Sequence, residues 1–288
     1  MTIKAWRLAA FPPLAPNACS SILKHERPFA VKAFRRPWHA ESVTTAVPTA
    51  KSLVSTFEAE LTSRRDPARA PAMAAYMRDQ FEFLGVASPG QADAYRATMA
   101  GLPRRLPEDL VTATAEELWR RPEREHQYVG CRLVNRHAAT PAATAAFLPV
   151  VEGLIRRKPW WDTVDILATH TVGDLVRRHP ELRPAMDAWL AGDDLWLTRA
   201  ALLHMNRWKT ETDQAWLLAA CLRRADHIDF FIRKAIGWAL REHSKTDAAA
   251  VVAFVEEHRS ELSGLSRREA LVWLERRRQR AGNIPLAN

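Results

Sequence analysis

Cysteine is scarce in this sequence of 288 residues: Cys19, Cys131 and Cys221 are far apart, odd in number and outside any CxxC. That excludes a disulfide scaffold and a zinc ribbon, and it fits a reducing cytosol. No apolar run reaches the roughly 18 residues of a membrane span, and the N-terminus lacks the apolar core and small-residue cleavage site of a secretory signal. HExxH, GxSxG, GxGxxG and GxxxxGK before Ser or Thr are all missing. A zincin, a serine hydrolase, a dinucleotide enzyme and a P-loop NTPase therefore have no support. No segment alternates apolar and polar residues convincingly, so no sheet is expected.

What is present is hydrophobic residue in quantity, 47% of the chain, enough for a sizeable core. The net charge is +9, which suggests an anionic partner. Residues 1–50 hold seven Lys/Arg against two acids, and the remainder holds 35 against 31, so the body is only mildly basic. The first 50 residues also carry six prolines and no sustained periodicity, the composition of a disordered leader. A solvated tail and an upstream extension from a misassigned start are its plain explanations; a DNA-tethering arm is the sharper one. From residue 51 to 288 a single helical domain is expected. Helical periodicity predicts segments near 51–63, 71–82, 89–99, 107–120, 123–137, 141–157, 160–178, 181–190, 194–207, 211–224, 228–243, 247–258 and 266–280. Starts are marked by Pro89, Pro107, Pro141, Pro159, Asp193–Asp194, and Ser266 with Glu269 as a capping box. Helix pairs recur every ~35–40 residues, the spacing of HEAT-like or armadillo-like repeats. The fold class is all-α, a helical solenoid whose concave face binds an extended partner.

Three helical stretches carry chemistry. In P-W-W-D-T-V-D, residues 159–165, Trp161 and Asp165 are i and i+4 and project from one face. Asp162 lies in the first turn, where the helix dipole favours it. Asp165 stands among Val164, Ile166, Leu167 and Ala168, so it sits at a rim or is desolvated and paired. Spacing alone favours a structural Asp holding a neighbouring helix. In residues 230–245 one face is apolar, and the other carries Lys234, Trp238, Arg241 and Lys245. A tryptophan inside a basic stripe suits a phosphate backbone with a sugar or base beside it; an ordinary solvated face explains it about as well. Gly237 allows close approach of a ligand or another helix. Arg199 lies on an otherwise apolar stripe, so it should be paired or reach a phosphate. Asp165 is the partner of most interest, and an Arg whose stem packs while its head reaches water is the plain alternative.

Together the segments P-A-M-A-A-Y-M-R-D-Q-F-E-F-L-G-V (71–86), P-E-R-E-H-Q-Y (122–128), K-P-W-W-D-T-V-D (158–165), L-W-L-T-R-A-A (195–201), F-F-I-R-K-A-I-G-W-A-L-R-E-H-S-K (230–245) and L-S-R-R-E-A (265–270) resemble the AlkD-like family of DNA alkylation repair enzymes. The resemblance covers roughly residues 51–275, in order. It implies HEAT-like repeats that cradle duplex DNA in a concave face. It implies a monofunctional DNA glycosylase that removes cationic alkylpurines such as 3-methyladenine and 7-methylguanine, working as a cytoplasmic, nucleoid-associated monomer with no cofactor, metal or membrane partner. Carried over, Asp165 is the catalytic carboxylate, Trp161 and Trp238 are aromatic walls, Arg199 is the nearby cation and Tyr76 lines the cleft. Lys234, Arg241 and Lys245 hold phosphates, and Trp160 faces the core. Pro159 replaces a common Ser, His243 replaces a common Tyr, and residues 1–50 have no counterpart. A non-catalytic module that binds damaged or structured DNA is the alternative. A protein-binding scaffold is disfavoured by the basic stripe.

Overall fold

Four aspartates begin four successive helices. Asp194, Asp213, Asp229 and Asp247 each accept a hydrogen bond from a backbone N–H of the first turn, which satisfies donors that a helix start leaves open. In the computed structural model, which describes residues 48–282, the helices are α1 (Ala50–Thr62), α2 (Ala70–Tyr76), α3 (Ser88–Met99), α4 (Glu108–Arg120), α5 (Arg124–Ala138), α6 (Leu148–Arg156), α7 (Trp161–Ile166), α8 (Gly173–Arg178), α9 (Arg183–Ala191), α10 (Leu195–Leu203), α11 (Gln214–Arg223), α12 (Phe230–His243), α13 (Ala248–Glu257) and α14 (Gly264–Gly282). No strand occurs among the described residues; a lone bridge joins Glu82 and Glu123. No helix there is long and apolar enough to cross a membrane. The expected leader lies outside the described residues, save Pro48, Thr49 and Ala50, where Thr49 caps α1.

The helices pack as a solenoid. α5, α7, α10, α12 and α14 contact one another in succession, and α4, α9, α11 and α13 pack on α5, α10, α12 and α14 respectively. The helices of the first row start at residues 124, 161, 195, 230 and 264, about 35 apart, the period expected of paired-helix repeats. One apolar core runs through the stack, from Phe57 and Leu118 through Leu167 and Leu202 to Leu240 and Val255.

Several boundaries differ from the sequence expectation, four of them with a visible cause. The segment expected to be helical over 71–82 stops at Tyr76, because Arg78 and Asp79 adopt φ of 58° and 54° and turn the chain. The return is fixed by Gly85 at φ +86°, where a Cβ would lie 2.0 Å from the Asp66 carbonyl oxygen. Pro141 does not start a helix; a short 3₁₀ turn at Ala145–Phe147 precedes α6. Pro159 lies just outside α7, which the extended Trp160 caps. Ser266 and Glu269 form no capping box: the Ser266 hydroxyl donates to the Arg233 carbonyl, and Glu269 binds Lys234 and Arg241. The expected helix 160–178 is continuous but widens to a π-helix over Leu167–Val172. There the absence of a side chain at Gly173 admits the His204 carbonyl, which a Cβ would meet at 2.4 Å. Trp208 Nε1 donates to the Gly173 carbonyl at 3.1 Å.

Candidate active site

α7 presents two carboxylates one turn apart, and each is held by an arginine from an adjacent helix of the row. Asp162 receives Arg124 Nε at 2.9 Å and Nη2 at 2.6 Å, and the Tyr128 hydroxyl donates to it at 2.7 Å. Arg124 also donates to the Lys158 carbonyl and to Thr163 Oγ1, and it lies 3.8 Å above the Phe81 ring. Asp165 receives Arg199 Nε at 2.7 Å and Nη2 at 2.8 Å. The third nitrogen of that guanidinium donates to the Phe231 carbonyl at the start of α12. All four charged residues are buried. The Asp165–Arg199 pair is thus the partnership that the apolar stripe around Arg199 required.

The two carboxylates differ in what surrounds them. Asp162 has three donors on two oxygens, whereas each Asp165 oxygen takes one donor, both from Arg199. Burial pushes the Asp165 carboxyl above its ordinary range; Arg199 pulls it down, and neighbouring Asp162 adds a further upward push. A buried carboxylate with free lone pairs can face a developing positive charge or accept a proton from water.

Aromatic rings cluster at the start of α7, and one of them, Phe231, reaches the pair. The Tyr76 ring meets Trp161 edge-on at 6.0 Å, and Tyr76 is 47% exposed. Trp160, expected to face the core, packs on Trp196 and Phe231 at 5.7 and 5.3 Å but stays partly exposed and outside the apolar core. Phe231 closes the set on Arg199, whose guanidinium lies 5.9 Å from its ring. Trp238, two turns along α12, is half-buried and donates to Glu242.

The basic stripe is more nearly neutral than its sequence suggests. Lys234 and Arg241 both bind Glu269 of α14, and Lys245 binds Glu242. Burial works to raise the Glu269 carboxyl, but the two cations outweigh it and hold it below its ordinary value. Gly237 admits α14: a Cβ there would lie 2.4 Å from the Glu269 Cβ. So the glycine serves a helix contact. Lys245 also lines a cavity of about 630 Å³ with Arg207, Lys209 and His243. The ring of His243 bonds Gln214 at 2.7 Å through Nε2.

Arg124, Tyr128, Glu242 and Phe231 were not singled out by sequence reasoning. The signal for Arg124 was available: it stands 38 residues before Asp162, close to the repeat period that also separates Asp165 from Arg199.

The family model described as DNA alkylation repair enzyme matches residues 57–274. A solved structure, a predicted DNA alkylation repair enzyme from Enterococcus faecalis, superposes with a TM-score of 0.67 at 28% sequence identity, covering 73% of this chain and 97% of that one. Comparison with curated proteins gives no match.

Proposed function

The chain belongs to the DNA alkylation repair enzyme family, and from that premise we propose that it is a monofunctional glycosylase that hydrolyses the N-glycosidic bond of cationic alkylpurines in duplex DNA. The observation that carries this reading is the coordination of Asp165: buried, oriented by one arginine, and with lone pairs left over on both oxygens.

Alkylation at N3 or N7 makes the purine cationic, so it leaves with the glycosidic electron pair as a neutral base. No general acid is needed, which is why one carboxylate suffices where a sugar–sugar glycosidase uses two. The sugar becomes oxocarbenium-like. Asp165 stabilises that charge and takes a proton from the water that adds to the sugar carbon. Arg199 fixes the carboxylate so that it need not reorganise as charge develops. Trp161 and Trp238 pack on the deoxyribose and attract the cation, with Tyr76 beside Trp161. Lys234, Arg241 and Lys245 bind phosphates, exchanging their carboxylates for the backbone. The substrates are of the 3-methyladenine and 7-methylguanine type, and the reaction needs no cofactor.

One observation favours the alternative of a non-catalytic module that binds damaged DNA. Asp165 is gripped in the same side-on manner as Asp162, whose role is structural. A duplex oligonucleotide with a single 7-methylguanine separates the two readings. The wild-type chain should leave an abasic site that mild alkali cleaves, and Asp165→Asn should bind the duplex but release no base. Equal scission by Asp165→Asn would overturn the mechanism, and duplex binding without scission by the wild type would establish the alternative.

A further inference from the structure

The positive charge of the folded body is not spread over it. Residues 51–263 hold 29 basic and 29 acidic residues and are net neutral. The whole excess lies on α14, which carries six arginines against Glu269 and Glu275. Glu269 is already spent on Lys234 and Arg241. Four of the six, Arg276, Arg277, Arg278 and Arg280, fall beyond residue 274, where the family match ends.

These four stand on the part of α14 that leaves the body. Residues up to Leu274 are at least partly buried in each turn, whereas 275–280 are exposed without exception. At 100° per residue the four arginines span about 200° of the helix, and Glu275 and Gln279 on the remaining face are exposed as well, so this is not the solvated back of a packed helix. No carboxylate pairs with Arg276, Arg277, Arg278 or Arg280 among the described residues; the Arg277 head lies 5.3 Å from the Trp273 ring. The direction of the projection is fixed. α14 is clamped to α12 by the close approach at Gly237, by the Ser266–Arg233 hydrogen bond and by the shared Glu269. It therefore continues the row of helices that carries Asp165, Arg199 and Trp238, one repeat beyond Trp238.

We infer that the C-terminal end of α14 is a DNA-binding arm, in which Arg276, Arg277, Arg278 and Arg280 contact phosphates of the duplex outside the lesion. The inference rests on the duplex-DNA reading above but not on catalysis. An exposed arginine cluster neutralises phosphates and releases their counterions, so it governs affinity and salt dependence without touching the chemistry. This arm supplies general affinity for undamaged duplex, while the Asp165 site supplies the response to damage.

The test is a salt titration of the full chain on an undamaged duplex, comparing the wild type with a variant in which the four arginines are glutamine. Four phosphate contacts contribute about 3 to 4 to the slope of log affinity against log salt, so the slope should become shallower by that amount. Replacing the four by lysine should restore it. Base release from a 7-methylguanine duplex at saturating protein should be unchanged, and so should the melting midpoint, since the replaced side chains are exposed. A slope unaltered by the glutamine variant overturns the arm. Loss of base release in the wild type with the slope effect intact would sink the glycosylase and leave the arm standing.

Discussion

Asp162 and Asp165 stand one helical turn apart on α7, and each is gripped side-on by a buried arginine from the next helix of its row. Asp162 also takes the Tyr128 hydroxyl, and its arginine is stacked on Phe81 and tied to the Lys158 carbonyl. Asp165 has Arg199 and nothing more on its carboxylate. The first arrangement spends every interaction on the ion pair; the second leaves capacity unused. Desolvation without full compensation raises the Asp165 carboxyl. A buried carboxylate whose hydrogen-bonding capacity is not used up by its structural partner is the one of the two that is open to chemistry.

The sharpest way to break this comparison is to neutralise each carboxylate in turn. Asp162→Asn leaves the fully buried Arg124 without its counter-charge, and removing one partner of a buried pair costs roughly 3–5 kcal/mol. Urea unfolding should show a loss of that order. Asp165→Asn likewise leaves the buried Arg199 without its counter-charge, so it too should lower the urea midpoint. Stability alone therefore does not separate the two carboxylates; the rate of base release does. Loss of one electrostatic stabiliser of a developing charge is worth on the order of 10²–10³ in turnover, so Asp165→Asn should fall below wild type by at least that in single-turnover base release.

A smaller effect follows from the direction of the Asp165 shift. Its carboxyl must be ionised to stabilise the sugar cation. Release should therefore fall as pH is lowered through its pKa, with the midpoint above the ordinary carboxylate range, since burial raises it. A single-turnover pH profile on 7-methylguanine DNA reads this directly. Release that stays flat through the carboxylate range and above it would mean that the charged form is not required.

Much of this contrast was legible before the fold was known. Arg199 on an apolar stripe demanded a partner, and Asp165 was the carboxylate with the same need. The helices were marked by periodicity, and one start by Asp193–Asp194, so their existence followed, with boundaries off by a few residues; the caps Asp213, Asp229 and Asp247 emerged only with the fold. What stayed hidden had a sufficient local explanation. Asp162 looked satisfied by the helix dipole, and Glu269 looked satisfied as the far end of a capping box with Ser266. Both carboxylates are instead claimed from about one repeat away, by Arg124 and by Lys234. Nothing local announced the end of α2 either, since Arg78 and Asp79 are not glycines and yet turn the chain through positive φ.

Glu269 extends the comparison to a third carboxylate that bridges helices of the row, and it gives the smallest of the expected effects. Unlike the two aspartates it is only partly buried, and it answers two cations, Lys234 and Arg241. Such a pair contributes less to stability than a fully desolvated one, because solvent screens it. Its larger consequence is electrostatic: it occupies two groups assigned to phosphate binding. Glu269→Gln keeps the size of the side chain and a hydrogen-bond acceptor for α12 while releasing both charges. Duplex binding should then tighten a few-fold at low salt, and the salt slope should steepen by about 1 to 2, as one or two phosphates become neutralised. The melting midpoint should move little. If binding instead weakens together with the midpoint, Lys234 and Arg241 serve to dock α14 onto α12, and the phosphate contacts of this end of the molecule fall to Lys245 and the arginines beyond it.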